Sequence, residues 1–197
     1  MGDKIESKKL AKASKVNTIH GISKLGFPDA IDDEAKALEI ANKLGYPVMV
    51  KASAGGGGKG IRIAWNDDET KVNYRLCKAE AKNFFSDDRL LIEKYIVDPR
   101  HIEFQILGDK FGNYVYLPER ECSVQRRNQK VIEEAPSKAM DQATRDKMGR
   151  QATMMAAACK YYTTGTCEFM LDPNKNFFFL EMNTRLQVGK ISRTLRE

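Results

Sequence analysis

The sequence has few of the residues on which several kinds of chemistry depend. It holds one tryptophan, two histidines and four cysteines in 197 residues. Cys77, Cys122, Cys159 and Cys167 form no C-x-x-C pair, and two histidines cannot complete a common zinc set with them. They read as reduced thiols. No run approaches 18 consecutive apolar residues, so no membrane-spanning helix is expected. Met1-Gly2-Asp3-Lys4 opens neither a signal-peptide hydrophobic stretch nor an acid-poor, Arg-rich transit peptide. A G-K-[ST] triplet ahead of a helix is also missing, which excludes a Walker A loop.

Neither sign of charge dominates. Lys and Arg number 33 against 27 Asp and Glu, a formal net charge of +6. Such an excess suits a phosphorylated ligand or weak adhesion to nucleic acid and does not choose between them. With 42% hydrophobic and 30% charged residues, the chain is not wholly disordered. Its length allows about one to one-and-a-half domains, with a core that needs no disulfides.

Hydrophobic spacing and punctuation give the elements. Residues 3–14 are charged and helix-prone, and 21–30 read as a loop. Asp32 or Asp33 can cap a helix whose apolar positions are Ala37, Leu38, Ile40, Ala41 and Leu44. Gly45 stands where a left-handed terminus is wanted, and Pro47 blocks continuation. A buried strand over 48–50 then ends at Lys51 and the run Gly55-Gly56-Gly57-Gly58-Lys59-Gly60. Residues 61–65 return as a second strand, making a Gly-rich hairpin. A polar helix is expected over 68–85 and strands over 90–95, 101–107, 114–117 and 129–133. The 101–107 strand alternates as though one face were wet. A helix over 141–159 and strands over 166–171 and 177–188 complete an α+β pattern of interspersed hairpins and helices.

Three features could carry chemistry. The four-glycine run lets backbone N–H groups approach a phosphate, with Lys51 and Lys59 as flanking charges; a flexible hairpin tip is the plain alternative. On the last strand Glu181, Asn183, Arg185 and Gln187 share one face, and Met182, Thr184, Leu186 and Val188 the other. If the hairpin closes with Asp172 opposite Phe177, Glu168 lies directly across from Glu181. Opposed carboxylates repel unless a cation sits between them, and hard oxygens suit Mg²⁺. A shifted register or a solvated face stays open. The third feature is the charged run from Glu121 to Glu134, with Gln125, Arg126, Arg127, Gln129 and Lys130. It reads as a solvated surface, a nucleic-acid patch or a site for an anionic second substrate. His101 alone reads as structural.

Five segments together carry a resemblance. They are Met1-Gly2-Asp3-Lys4; Lys51-Ala52-Ser53-Ala54 with the glycine run; Pro99-Arg100-His101-Ile102-Glu103; the stretch from Glu119 to Lys130; and Glu181-Met182-Asn183-Thr184-Arg185-Leu186-Gln187-Val188. In this order they closely resemble the biotin carboxylase family of the ATP-grasp superfold, in wording most like its mitochondrial acyl-CoA carboxylases. The resemblance implies two α+β subdomains of mostly antiparallel sheet with a Gly-rich lid hairpin. Its expected divisions are an N-terminal helix and linker (1–20), a lid subdomain (21–95), a central subdomain (96–188) and a non-family tail (189–197).

The implied reaction phosphorylates bicarbonate with ATP to carboxyphosphate, whose CO2 is attached to carrier-bound biotin. The implied cofactors are ATP and Mg²⁺, with Mn²⁺ as a substitute. Lys4 and Lys51 would contact nucleotide phosphates, with Gly55, Gly56, Gly57, Gly58 and Lys59 as the lid. Glu93 and Lys94 would meet the adenine edge, His101 and Gln125 the ribose or phosphates, and Met170 the base. Glu168, Glu181 and Asn183 would hold metal; Lys130, Arg185, Gln187 and Val188 would position bicarbonate and carboxyphosphate. The implied partners are a biotin carrier domain and a carboxyltransferase subunit, in the mitochondrial matrix or, for a bacterial chain, the cytoplasm. Membrane and nucleic acid are not among them.

The sequence departs from the family at His20, where Pro is usual, at Asn128, where some members have His, and most of all after Val188. The family's Glu base follows Val188, whereas Gly189 stands here, and 189–197 match no family pattern. Truncation at both ends would leave the family dimer surface incomplete and Phe177 and Phe179 partly uncovered. The expected activity is therefore ATP binding without full carboxylation. The readings set against it are a basic nucleic-acid-binding module using Arg126, Arg127 and Lys130, and a non-catalytic interaction fragment.

Overall fold

The computed structural model describes residues 3–19, 31, 33–54 and 59–185. Helix α1 (Lys4–Ala13) starts at Asp3, whose Oδ1 accepts from the N–H groups of Ile5 at 2.9 Å and Glu6 at 3.1 Å. Helix α2 (Glu34–Leu44) is capped by Asp33 and ends at Gly45, which has φ 71°. Strands β1 (Val48–Ala52), β2 (Ile61–Ala64) and β3 (Leu90–Lys94) form an antiparallel sheet in the order β2-β1-β3. Helix α3 (Asp67–Phe85) lies between β2 and β3 in sequence. Its buried Tyr74, Cys77 and Ala81 recur at helical spacing and join Ala37, Ile40, Val48, Val50 and Ile92 in one core.

The larger sheet runs β7-β6-β4-β8-β9, with β5 paired to β4. These strands are β4 (Arg100–Gly108), β5 (Tyr114–Tyr116), β6 (Arg120–Arg126), β7 (Gln129–Glu134), β8 (Thr163–Leu171) and β9 (Phe177–Asn183). Ile102, Phe104, Ile106, Cys167, Phe169, Leu171 and Met182 form one core with Met148, Ala152, Met155 and Ala156 of helix α4 (Gln142–Ala158). Ala11 and Val16 belong to the same core, so the first helix is built into the larger layer. Asn17 also holds it there, because its carbonyl accepts from the N–H of Phe179 at 2.7 Å. No helix among the described residues is long and apolar enough to cross a membrane.

Four expectations need correction. The strand over 101–107 is not wet on one face: His101 to Ile106 are all buried. Its polar members are tolerated because each finds a partner, as Gln105 does by donating to Thr164 Oγ1 and Gly165 O at 2.7 Å each. Strand β6 was hidden inside a charge run. Phe177 and Phe179 are covered, at 6% and 0% exposure, under α4 and against Phe169.

The fourth correction concerns the hairpin. Leu171, not Asp172, pairs with Phe177, and Phe169 pairs with Phe179. A bulge then admits Leu180 as an extra residue, so Glu168 still pairs with Glu181 and Thr166 with Asn183. The expected carboxylate opposition is present, reached through an offset turn and a compensating bulge. Of the expected 177–188 strand, β9 ends at Asn183 and residues 186–188 lie outside the described residues.

Close packing on α4 yields a test. A Cβ on Gly149 would stand 2.4 Å from the Tyr116 ring, which packs edge-on against Phe104 with centroids 5.8 Å apart. Gly149→Ala gains about 1 kcal/mol of helix propensity and incurs about 1–3 kcal/mol of overpacking. Net destabilisation is expected in urea denaturation, and a raised midpoint would contradict this packing.

Candidate active site

The face of the larger sheet opposite α4 carries a polar cluster. Period-two alternation puts His101, Glu103 and Gln105 of β4 on it beside Thr166, Glu168 and Met170 of β8. The bulge brings Glu181 and Asn183 of β9 to the same side. Glu168 is the hub. Its Oε1 accepts from Lys130 Nζ and Asn183 Nδ2, both at 2.5 Å, and its Oε2 lies 2.7 Å from His101 Nε2. Lys130 also donates to Glu103 Oε2 at 2.5 Å, while Arg120 Nε donates to Glu103 Oε1 at 2.6 Å.

Hydrogen bonding fixes the form of His101. Gln125 Nε2 donates to Cys122 O at 2.8 Å, which orients its amide, and it also approaches His101 Nδ1 at 2.9 Å. Nδ1 is then the acceptor, and Nε2 carries the proton that is donated to Glu168. A neutral imidazole satisfies both contacts.

A second cluster joins this face to the small sheet. Lys51 of β1 and Lys8 of α1 each donate to one oxygen of Glu93 on β3, and all three are buried. Lys4, one turn before Lys8, stands 3.9 Å from Glu181 Oε2. Lys4, Lys51 and Glu181 are thus brought together from three separate motifs.

Charge and burial set the protonation states. Burial pushes the Glu93 carboxyl up, but Lys51 and Lys8 outweigh it and hold it at about 2. Burial likewise opposes ionisation of Glu168, which the His101 bond and Lys130 keep below its ordinary value. Lys130 loses proton affinity to burial and regains more from Glu168 and Glu103, ending above its usual value. Burial lowers Lys4, partly offset by Glu181.

The remaining expected residues are placed as follows. Lys94 donates its ammonium to the carbonyls of Gly45 and Tyr46 at 2.8 and 2.7 Å. Its main chain has a different outlook. Tyr95 N–H bonds Pro47 O, just ahead of β1, whereas Leu90 O faces away to Ile31 N–H, so the even-numbered main-chain groups of β3 point off the β1 side. The carboxylate of Glu93 is occupied by its lysines, and its odd-numbered main-chain groups lie on the β1 side, opposite Met49, so neither is turned outward to an adenine. Met170 is half-buried and pairs with His101 in the register. Lys59 is exposed over the Phe84 ring, 4.2 Å from its centroid. Arg185 is exposed past the end of β9. Gly55, Gly56, Gly57, Gly58, Gln187 and Val188 lie outside the described residues, as does Gly189.

The charged run divides. Gln125 and Lys130 face the cluster, while Arg126 and Arg127 stand exposed at the β6–β7 turn, where Arg127 and Asn128 have φ of 52° and 62°. Lys130 is therefore not part of a basic patch with the two arginines. The sequence reading missed Lys8, Glu103 and Arg120. Lys8 sits one helical turn from Lys4 and Glu103 two residues from His101, so spacing held both signals.

A divalent cation fits this donor set. Glu168, Glu181 and the Asn183 side-chain carbonyl are hard oxygen donors on one face, and His101, Glu103 and Glu168 also offer ligand atoms within 4.8 Å of one another. The opposed carboxylates are not left unpaired, since Lys130 serves Glu168 and Lys4 stands near Glu181.

Comparison with known proteins gives the lineage. Residues 3–192 match the family described as "Carbamoyl-phosphate synthase L chain, ATP binding domain". The chain belongs to that family. It is 62% identical over 188 residues to the mitochondrial propionyl-CoA carboxylase alpha chain of Mus musculus, and 58% identical over 188 residues to the propionyl-CoA carboxylase alpha chain of Ruegeria pomeroyi. These matches cover 95% of this chain but 25% and 27% of those proteins. Among solved structures, the biotin carboxylase–β,γ-ATP complex from Campylobacter jejuni superposes with TM-score 0.91 at 42% identity. The biotin carboxylase domain of Hydrogenobacter thermophilus 2-oxoglutarate carboxylase, complexed with MgADP, ADP and bicarbonate, gives 0.90 at 47%. Each likeness covers 96% of this chain and 41% of the other. The fold is the α+β ATP-grasp of these biotin carboxylases.

The depressed carboxylates make stability depend on pH. Glu93 falls from an ordinary 4.5 to about 2 in the fold, so its contribution is fully present above 4.5 and is lost as pH drops through that window. Glu168 acts in the same direction. The urea midpoint of the wild type should fall steeply from pH 5 to about pH 2. Glu93→Gln should be weaker at pH 7 and flatter across the window; an equal slope would contradict the assignment.

Proposed function

We propose that this chain is the ATP-binding core of a biotin carboxylase, with MgATP seated where Lys4, Lys51 and Glu181 meet. The observation that carries the reading is that convergence: two lysines from separate elements next to a face of oxygen donors. In this reading Lys4 and Lys51 draw the phosphates, the lid role implied by the resemblance stays with Gly55, Gly56, Gly57, Gly58 and Lys59, and the outward main chain of Lys94 meets the adenine edge. Met170 lies against the base. His101 and Gln125 hold Glu168 in place beside the phosphates. Glu168, Glu181 and Asn183 hold magnesium, which neutralises charge on the transferring phosphoryl group. Lys130, with Arg185, Gln187 and Val188, positions bicarbonate and carboxyphosphate.

The partners proposed for the whole protein are a biotin carrier and a carboxyltransferase, since the chain spans a quarter of the propionyl-CoA carboxylase alpha chains it matches. The mitochondrial relatives support a matrix location. Gly189 stands where the family resemblance expects the base that acts on bicarbonate, so ATP binding without efficient biotin carboxylation is proposed for this chain. The split of the charged run removes the support for a nucleic-acid module.

Thermal shift tests the binding step. MgATP at 100 times its Kd contributes about 2.7 kcal/mol to the folded state, so a clear rise in Tm is expected. Glu181→Gln should reduce the Mg-dependent part of that rise, and Glu39→Gln, in an exposed pair on α2, should not. Equal losses, or no rise in the wild type, would overturn the reading. Phosphate release should stay insensitive to bicarbonate and free biotin. Gly189→Glu should raise the bicarbonate-dependent rate, and an unchanged rate would contradict the role given to that position.

A further inference from the structure

Glu93 is held in a way that simple pairing does not require. One lysine would neutralise a buried carboxylate, yet this one receives two, Lys51 on Oε1 and Lys8 on Oε2. The side chains of Lys8, Lys51 and Glu93 are only 3%, 6% and 1% exposed. Removing charges from water is costly, so a second buried ammonium needs a reason. Burial does lower Lys8, and Glu93 returns part of what burial removes. Around the seam, Lys4, Lys8 and Lys51 stand among Glu93, Glu181 and Asp3, and the three ammonium groups act on one another. The seam reaches the surface at Glu181, whose side chain is 32% exposed beside Lys4.

We propose that Lys8 is a positioning residue that shares the Glu93 carboxylate with Lys51 and so leaves Lys51 able to attract an incoming polyphosphate. This rests on the nucleotide-binding reading above. With Lys8 absent, Glu93 and Lys51 would form a closed neutral pair, and the ammonium would be committed to its carboxylate. With Lys8 present, the carboxylate is satisfied from the other side, and the Lys51 ammonium stays available next to Lys4. Lys8 touches no phosphate itself. The geometry gives it this reach because α1 places residues 4 and 8 on one face, one turn apart.

The test uses the full chain, with tripolyphosphate in metal-free buffer as the anionic probe and adenosine as the neutral one. Lys8→Met should weaken tripolyphosphate binding by about tenfold or more while leaving adenosine binding unchanged. Lys8→Arg should keep the wild-type value. The deciding measurement is the double variant Lys8→Met/Glu93→Gln, which removes the carboxylate together with its second partner. It should recover tripolyphosphate affinity to within about threefold of wild type, a rescue that a purely structural role for Lys8 would not produce. Unchanged binding in Lys8→Met, or a double variant no better than the single one, would overturn the proposal. Should Lys8→Met fail to fold, Glu93→Gln decides: tighter tripolyphosphate binding than wild type supports restraint of Lys51 by Glu93, and unchanged or weaker binding refutes it. A wild type that binds neither tripolyphosphate nor MgATP would instead sink the nucleotide reading itself.

Discussion

One carboxylate organises the polar half of the larger sheet. Glu168 gathers an ammonium from β7, an amide from β9 and an imidazole from β4, so four strands are registered through a single buried anion. Burying such a charge is unfavourable unless it is paired and its lone pairs are filled. Here they are filled by groups that also belong to the candidate chemistry. The same contacts that make the sheet stable therefore preorganise its working face, with His101 locked by Gln125 and Lys130 shared with Glu103.

The two sheets are joined through α1. The first turn of the helix faces the small sheet: Asp3 accepts from Ser53 Oγ and from Arg89, and Lys8 reaches Glu93. Its far end is apolar and enters the larger core through Ala11, with Val16 just beyond. A single helix thus carries charge to one layer and hydrocarbon to the other. That division places Lys4 at the seam, where ligand charge would meet the lysines of one layer and the carboxylates of the next.

Much of this was readable from residue pattern alone. Helix boundaries near Asp33 and Gly45 followed capping chemistry, which is local and so survives without tertiary information. The opposition of Glu168 and Glu181 was reached from an assumed turn register, which is offset by one residue and restored by the bulge at Leu180. What escaped were features that depend on distant partners. His101, Glu103 and Gln105 look like a solvated face until Glu168, Arg120 and Gly165 are brought against them. Strand β6 looks like a charge run because its polar residues are satisfied across strands. Lys8 looks like one more surface lysine, since its partner Glu93 is remote in sequence and only folding brings them together.

The extra residue at Leu180 has a consequence for how this edge of the sheet can change. Before it, odd-numbered Phe177 and Phe179 enter the hydrocarbon core; after it, even-numbered Met182 does, and odd-numbered Glu181 and Asn183 turn to the acidic side. The bulge is a phase shifter that lets one strand serve two alternations of opposite parity. Excising that residue would force a choice, either dragging carboxylate and amide into oil or expelling the phenyl rings into water. Length at this point is therefore under tighter constraint than side-chain identity, although Leu180 is itself only half-buried.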